Sequence, residues 1–271
     1  MIVYGSRMYF KKNVVKSFEE CEHCGVYGKM TSYKARKFGH LYFIPLIPMG
    51  KSSQVLRECK KCKMGSHIPV EQLEPMVDSV ADRFKSLIMA VSEGQTEIEL
   101  EPETPPANIG AMIAGIMGDL YCLKEIENAD SISNVLLANN LNFENELVQG
   151  KWSELNGKLD EAKDHYQAAH RQKPEDSIPI YRLAMAELRS KKLEAAENEF
   201  NKYVQMVPDD IGAYAKLAGI YEQQKKFDQL VGAYDAIYKL NPSTLTNKPM
   251  SKVYKKACKK SGVQGEFLAQ M

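Results

Sequence analysis

The 271-residue sequence lacks the features that place a chain in a membrane or mark it for secretion. No run of 18 apolar residues is present, and the most lipid-like stretch, from Ile109 to Gly118, ends at Asp119 after ten residues. Such a stretch is too short to cross a bilayer. The first residues show no basic segment followed by an apolar one, so they do not resemble a secretory signal. We therefore expect a cytoplasmic location without a membrane span, where the six cysteines stay reduced.

The sequence also lacks a recognisable catalytic constellation. It shows no Ser/His/Asp set, no glycine loop that would cradle a phosphate and no paired catalytic carboxylates, and its five histidines lie in unrelated contexts. An enzyme is therefore not expected.

The net charge of +1 conceals an uneven distribution of charge along the chain. Residues 1–70 hold 13 Lys or Arg and 4 Asp or Glu, residues 71–150 hold 3 and 15, and residues 151–271 hold 20 and 16. The three segments therefore carry +9, −12 and +4. This segregation indicates modular construction.

Four of the six cysteines form two Cys-x-x-Cys pairs, Cys21 with Cys24 and Cys59 with Cys62. Each pair can point two thiolates at one centre, and two pairs complete the tetrahedral four-sulfur shell that Zn²⁺ prefers. We therefore predict one structural Zn²⁺ held by these residues. Because four sulfurs close the shell, zinc-based hydrolysis is not expected. Redox chemistry, another metal and disulfides are the alternatives, and the two isolated cysteines are assigned to packing.

Glycines follow both pairs, at Gly25 and Gly65, where they permit tight turns that present the thiolates. Between the pairs, residues 33–51 are aromatic and β-branched with interspersed glycine and proline, which predicts short strands and turns. With the cysteine pairs, this stretch resembles the zinc-ribbon family over residues 1–70. The resemblance implies a three-stranded ribbon, a structural Zn²⁺ and no catalytic residue.

Prolines 174, 208 and 242 are 34 residues apart, which is the period of tetratricopeptide repeats. On this frame the repeats span residues 143–176, 177–210 and 211–244. Their second helices carry motifs such as Gly-Lys-Leu-Asp-Glu-Ala at 157–162, and their first helices carry Tyr-x-Leu-Ala at 181–184. These motifs resemble the tetratricopeptide consensus. Further on, apolar residues at 250, 253, 254, 257 and 258 opposite four lysines predict an amphipathic capping helix.

The resemblance implies a groove, lined by the first helix of each repeat, that binds a peptide or a helix of a partner protein. The paired basic residues with which chaperone-binding members grip a carboxylate are not evident, so a helix or an extended apolar segment is predicted rather than an acidic tail. The chain's own residues 107–141 are an alternative occupant. The predicted groove positions are Ile178, Tyr181, Arg182, Met185, Leu188, Arg189, Ala215, Lys216, Gly219 and Glu222.

The acidic middle of the chain links these two regions. Apolar residues at helical spacing predict an amphipathic helix over about 74–91, with Pro75 near its start and Gly94 beyond its end. We interpret the glutamate-rich stretch 93–106 as a solvated linker, although Ile98 and Leu100 alternate with glutamates as in a short edge strand. Two further helices are predicted before the repeats, the second from Asp130.

Together these patterns predict an α+β, multidomain protein in which a small β zinc ribbon precedes an all-α helical solenoid of the tetratricopeptide type. The predicted parts are a zinc ribbon (1–70), an amphipathic helix and acidic linker (71–106), a helical hairpin (107–142), three repeats (143–247) and a capping helix with a tail (248–271). We predict a non-enzymatic intracellular adaptor for protein–protein interaction, whose linker holds the ribbon and the repeats apart.

Two alternatives stay open at this point. The basic ribbon can bind nucleic acid while the repeats recruit proteins, because Lys34, Arg36 and Lys37 lie in the aromatic stretch and three lysines flank the second cysteine pair, namely Lys60, Lys61 and Lys63. Alternatively, the acidic segment masks the ribbon within one chain.

Overall fold

A computed structural model of the chain describes residues 4–41, 44–98, 107–126, 129–246 and 248–269. A four-stranded antiparallel sheet is followed by helices that form a tetratricopeptide-like solenoid, which confirms the predicted fold class. The chain divides into two compact units, residues 1–169 and residues 170–271. Within the described ranges, no helix combines the length and the apolar character that a bilayer crossing requires.

The first unit begins with an antiparallel meander in the strand order β1-β2-β3-β4. A fourth strand thus extends the implied three-stranded ribbon, and two long strands replace the short ones predicted over 33–51. Glycine and proline do not end these strands because the register shifts around them, for example between Gly39 and His40. Residues 42 and 43 lie outside the described ranges. The strands are β1 (Tyr4–Glu20), β2 (Tyr27–Leu41), β3 (Ile44–Cys59) and β4 (Ser66–Pro69).

Strand β1 is interrupted by two register shifts, one between Tyr9 and Lys12 and one between Lys12 and Val15. Phe10 and Asn13 occupy these irregularities with φ angles of 58° and 50°. The left-handed region is uncommon for non-glycine residues and is unfavourable for a bulky one such as phenylalanine.

The acidic middle of the chain begins with α1 (Val70–Ser92), which starts earlier than predicted and contains Pro75 within it. Beyond it, β5 (Glu97–Ile98) pairs with β6 (Ala107–Asn108). The edge-strand alternative is therefore correct at Ile98, where the linker interpretation is wrong. Leu100 and the rest of the segment 99–106 lie outside the described residues.

Four helices complete the first unit and contribute to its core. Gly110 permits a close approach between the first and third of them, because a Cβ there would lie 2.8 Å from the Glu144 Cα. The helices are α2 (Ile109–Leu123), α3 (Asp130–Ala138), α4 (Asn142–Leu155) and α5 (Leu159–Gln172). Buried core residues include Leu87, Val91, Ile109, Ile113, Met117, Leu136, Val148 and Leu155.

The cysteine end of the ribbon packs directly on α2 and α4 within this unit. Arg57 on β3 donates to Glu19 on β1 at 3.0 Å and to Asp119 on α2 at 2.7 Å. Tyr27 donates to the main-chain carbonyl of Glu154 on α4 at 3.3 Å. The linker therefore does not hold the ribbon away from the first repeat, because these polar contacts dock one on the other.

The turn between α4 and α5 makes a second contact with the ribbon. Gly157 has a φ of +75°, and a Cβ there would come within 2.8 Å of the Phe18 ring. Nearby, the buried Cys122 thiol on α2 lies 3.7 Å from the Ser17 hydroxyl. The packing role predicted for Cys122 agrees with this burial.

The second unit consists of helices joined by short turns. Asp176 and Asp210 accept hydrogen bonds from main-chain N–H groups and cap the first helix of each hairpin. The elements are α6 (Ser177–Arg189), α7 (Leu193–Met206), α8 (Ile211–Gln224), α9 (Phe227–Leu240), a 3₁₀ helix (Pro242–Thr246), α10 (Lys248–Ser261) and α11 (Glu266–Ala269).

Helix α10 has the amphipathic character predicted for a cap. Its buried face contributes Tyr254, Ala257 and Cys258 to the core of the second unit. The Tyr254 hydroxyl donates to Asp235 at 2.5 Å and accepts from the Phe267 N–H at 3.2 Å. The lysines at 252, 255, 256 and 259 are exposed.

Candidate metal centre and repeat surface

Both cysteine pairs lie at one end of the ribbon in turns of the same construction. In the β1–β2 turn, the Gly25 N–H donates to the Cys21 carbonyl at 2.8 Å. In the β3–β4 turn, the Lys63 N–H donates to the Cys59 carbonyl at 2.9 Å. The two turns are therefore matched supports for a common centre.

Each turn needs a left-handed residue four positions after its first cysteine. Gly25 has a φ of +64° there, and Lys63 has a φ of +63°. The prediction that Gly65 shapes the second turn is therefore wrong. Gly65 is needed for a different reason, because a Cβ there would lie 2.8 Å from both the Glu58 Cα and the Leu56 carbonyl oxygen.

The two turns bring the four cysteine sulfurs together within 4.8 Å of one another. The Cys21 and Cys62 sulfurs are 3.7 Å apart, and the Cys24 and Cys59 sulfurs are 3.9 Å apart. A tetrahedral zinc site with bonds of about 2.3 Å would place its sulfurs about 3.8 Å apart. All four are free cysteines, so the cluster can hold a metal ion, and its geometry fits zinc.

The second cysteine turn affects its two thiols differently. The Met64 N–H lowers the pKa of Cys62, but burial and the other three thiols raise it to about 11 in the absence of a metal ion, whereas Cys59 is favoured as a thiolate. The main-chain N–H groups of Cys62 and Lys61 donate to the Cys59 sulfur and lower the pKa of this thiol to about 7, although burial raises it. A thiolate is the form that binds a metal. The buried Met30 side chain packs against Cys21 and Cys59 and excludes water from one side.

Three of the predicted groove positions contribute to the core of the second unit. Met185 is only 6% exposed. The Tyr181 ring lies edge-on to Phe200 at 5.9 Å, and Leu188 packs against the same core. These side chains mainly stabilise the packing of the helices, and they leave little surface for contact with a partner.

The other predicted positions are partly or fully exposed, and most follow two helical stripes. On α6 the stripe contains Ile178, Arg182 and Arg189. On α8 it contains Ala215, Gly219 and Glu222, with Lys216 beside it. A Cβ at Gly219 would meet no atom within 4 Å, so this part of α8 faces open space.

A family model described as "Tetratricopeptide repeat" matches residues 155–221. This segment, from the end of α4 to α8, consists of tetratricopeptide repeats. The match does not extend to the N-terminal sheet, where the cysteine cluster alone supports the resemblance to a zinc ribbon. No curated protein matches the sequence significantly.

Solved tetratricopeptide structures are similar to part of the chain at low sequence identity. The first TPR of Spaghetti (RPAP3) bound to the HSP90 peptide SRMEEVD is 23% identical, with coverage of 42% of this chain and 90% of that chain and a TM-score of 0.35. The TPR2B domain of yeast Sti1 in its pHsp70 complex is 19% identical, with coverages of 44% and 98% and a TM-score of 0.38. MamA is 19% identical, with coverages of 58% and 96% and a TM-score of 0.41.

Sequence reasoning missed one surface, where Phe10 is 63% exposed between basic side chains of the ribbon. The bulge that exposes Phe10 has no local signal, since neither glycine nor asparagine occupies position 10. Of the residues on this face, the sequence pattern indicated only the basic residues Lys34 and Arg36.

Proposed function

We propose that the protein is a non-enzymatic adaptor, in which the repeats bind a peptide or a helix of a partner protein and one structural Zn²⁺ holds the ribbon. The repeat domain supports a role in protein–protein interaction. The main support for a binding groove is the stripe on α8. There the small residues Ala215 and Gly219 leave the helix backbone accessible to a partner segment. Ile178 on α6 and these small residues favour an apolar or amphipathic segment.

A large side chain at Gly219 tests this groove. Gly219→Trp would place an indole on the stripe, and its Cβ would meet no atom within 4 Å. The control is Gly232→Trp on α9, an exposed position that also has no atom within 4 Å of a Cβ, whereas Gly219 is half-buried. Circular dichroism verifies that both variants keep their helices.

Quantitative affinity capture from cell lysate then compares the three chains. We expect a set of proteins that bind the wild-type chain and the Gly232→Trp variant but are lost with Gly219→Trp. If both tryptophan variants retain the same proteins, the groove is not the binding site.

The zinc proposal is supported by the sulfur spacing and by the matched construction of the two cysteine turns. In this proposal Cys21, Cys24, Cys59 and Cys62 bind the ion, and binding supplies part of the folding free energy of the ribbon. Elemental analysis of the purified chain is expected to give one zinc per chain. The double variant Cys59→Ser, Cys62→Ser is expected to lose it.

The control is Cys258→Ala, which changes a buried cysteine of the other unit and is expected to keep its zinc. Equal zinc in the wild-type chain and the double variant would contradict the site. The cytoplasmic location stays a prediction.

A further inference from the structure

The part of the ribbon away from the cysteines carries positive charge only. Residues 4–15 and 33–54 contain seven Lys or Arg and no Asp or Glu. The acidic residues of the ribbon all lie at or beside the cysteine turns, at Glu19, Glu20, Glu22 and Glu58. Among these cations, Lys11 lies 3.6 Å from Glu58 and Lys51 pairs with Glu71 of α1, so the charge of this distal part is only partly neutralised.

One face of this part combines cations with aromatic rings. Phe10, Lys12, Lys34, Arg36 and Phe38 line a shallow groove of about 570 Å³, which we call the basic-aromatic face. The Phe10 and Phe38 rings meet edge-to-face with centroids 5.2 Å apart. The Phe38 ring thus packs against one side of Phe10, while most of Phe10 stays accessible.

The arrangement of the cations on this face lowers the stability of the sheet. Lys12 lies directly opposite Lys34 in the register of β1 and β2, and like charges in that position destabilise a sheet. In the described part of the chain, neither lysine nor Arg36 forms an ion pair. Lys11, next along β1, differs because it lies 3.6 Å from Glu58.

The backbone conformation of Phe10 is also unfavourable. Its φ of 58° lies in the left-handed region, which is unfavourable for an aromatic residue. The bulge turns the ring outward, so the fold does not gain the burial that would compensate for this conformation. Bulges of this kind often aim a side chain at a binding site.

We propose that the basic-aromatic face binds single-stranded nucleic acid, with a base stacked on Phe10 and phosphates bound by Lys12, Lys34 and Arg36. Single strands are bound by a cationic surface with aromatic side chains on which bases stack, and this face supplies both. An acidic peptide would use the cations but not the ring. A bilayer surface would need a larger apolar area than the Phe10 and Phe38 rings supply among the cations of this face. The proposal is independent of the repeat groove.

The cationic part is tested with the full-length chain and a fluorescein-labelled 20-nucleotide oligouridine RNA, by fluorescence anisotropy between 50 and 200 mM NaCl. We expect the triple variant Lys12→Ser, Lys34→Ser, Arg36→Ser to bind more weakly, and the slope of log K against log salt to decrease by about 2, from about 0.7 per phosphate contact. The matched control removes three exposed lysines from α10, at 252, 255 and 259, and is expected to bind like the wild-type chain.

The aromatic part is tested with Phe10→Gly. Glycine adopts the left-handed conformation readily, so thermal unfolding is expected to show no loss of stability. RNA affinity is expected to fall roughly 10-fold or more, because a stacked base loses its platform. Phe10→Trp, which keeps an aromatic face, is expected to retain the affinity. A ring with a purely structural role would give the opposite pattern in the unfolding experiment.

Several results would overturn the proposal. One is the absence of RNA binding at 50 mM NaCl, and another is equal affinity of the wild-type chain and Phe10→Gly. If polyglutamate displaces the labelled RNA as effectively as unlabelled RNA does, the face binds acidic proteins instead. Binding to phosphatidylcholine–phosphatidylserine vesicles (70:30) without binding to RNA would assign it to membranes. Gly219→Trp is expected to bind RNA normally, so a failure of the groove does not affect this test.

Discussion

Replacement of Arg57 by methionine is expected to loosen the contact between the ribbon and the helices of the first unit. Arg57 on β3 joins Glu19 on β1 to Asp119 on α2. Glu19 also accepts from the Ser17 hydroxyl at 2.7 Å, so it stays in place when the guanidinium is removed. Burial opposes the charge on Arg57, but the nearby carboxylates raise its pKa overall, so the guanidinium is charged at any working pH.

The size of the effect follows from the exposure of the three side chains, which is 27% for Arg57, 15% for Glu19 and 40% for Asp119. The Asp119 pair is accessible to water and is worth about 0.2–1 kcal/mol, as for surface pairs. Loss of the guanidinium leaves the more buried Glu19 carboxylate without its cation, which costs about 1–3 kcal/mol. We therefore expect Arg57→Met to lower the free energy of unfolding of the first unit by about 1–4 kcal/mol.

Urea unfolding followed by the fluorescence of Trp152, which lies in this unit, measures the change. A double-mutant cycle with Glu19→Gln is expected to give a coupling energy of about 1–2 kcal/mol, since the two side chains share one hydrogen bond. The control is Arg83→Met on the exposed side of α1, which is expected to stay within about 0.5 kcal/mol of the wild-type chain. If Arg57→Met unfolds at the wild-type urea concentration, or if the coupling energy is zero, the docking argument is refuted.

Three further predictions concern single side chains. Gly219→Ala is expected to raise the free energy of unfolding by about 0.5–1 kcal/mol in urea titrations, because alanine favours a helix and its Cβ meets no neighbour. Gly157→Ala is expected to lower it by about 2–3 kcal/mol in the same assay, because the φ of +75° and the Phe18 ring both oppose a Cβ. Burial and the hydrogen bond to Asp235 raise the pKa of Tyr254 above 10, so its contribution to stability is complete below pH 10 and is lost as the pH rises further. Thermal unfolding between pH 9 and 12 is expected to show a smaller alkaline decline for Tyr254→Phe than for the wild-type chain, and an identical decline would contradict the assigned shift.

The sequence predicted those parts of the molecule that depend on spacing along the chain. The cysteine pairs and the 34-residue proline period both reflect local geometry. The cysteine pairs lie in turns of the ribbon, and each proline follows the end of a helix, α5, α7 or α9. The left-handed position of the second cysteine turn was assigned wrongly, because a lysine occupies it and glycine is only the preferred residue there. A single position with a positive φ cannot be recognised reliably in a sequence when a residue other than glycine occupies it.

The contact between the ribbon and the helices could not be predicted from spacing. Arg57 is one of 13 basic residues in the first 70, and its partner Asp119 lies 62 residues further along the chain. Nothing local distinguishes this arginine from its neighbours. The same limitation applies to the basic-aromatic face, where Lys12 and Lys34 meet only through the register of two strands.

The 17-residue β1 strand also has a bearing on how the chain behaves in concentrated solution, because it forms one edge of the sheet. A long edge exposes main-chain donors and acceptors to which a second copy can add a strand. The irregularities at Phe10 and Asn13 break that row, and exposed lysines at 11, 12 and 16 would face the same lysines of an antiparallel copy nearby. The ribbon therefore carries its own protection against aggregation, and removal of these lysines together with the bulge would leave a long, regular edge open to self-association.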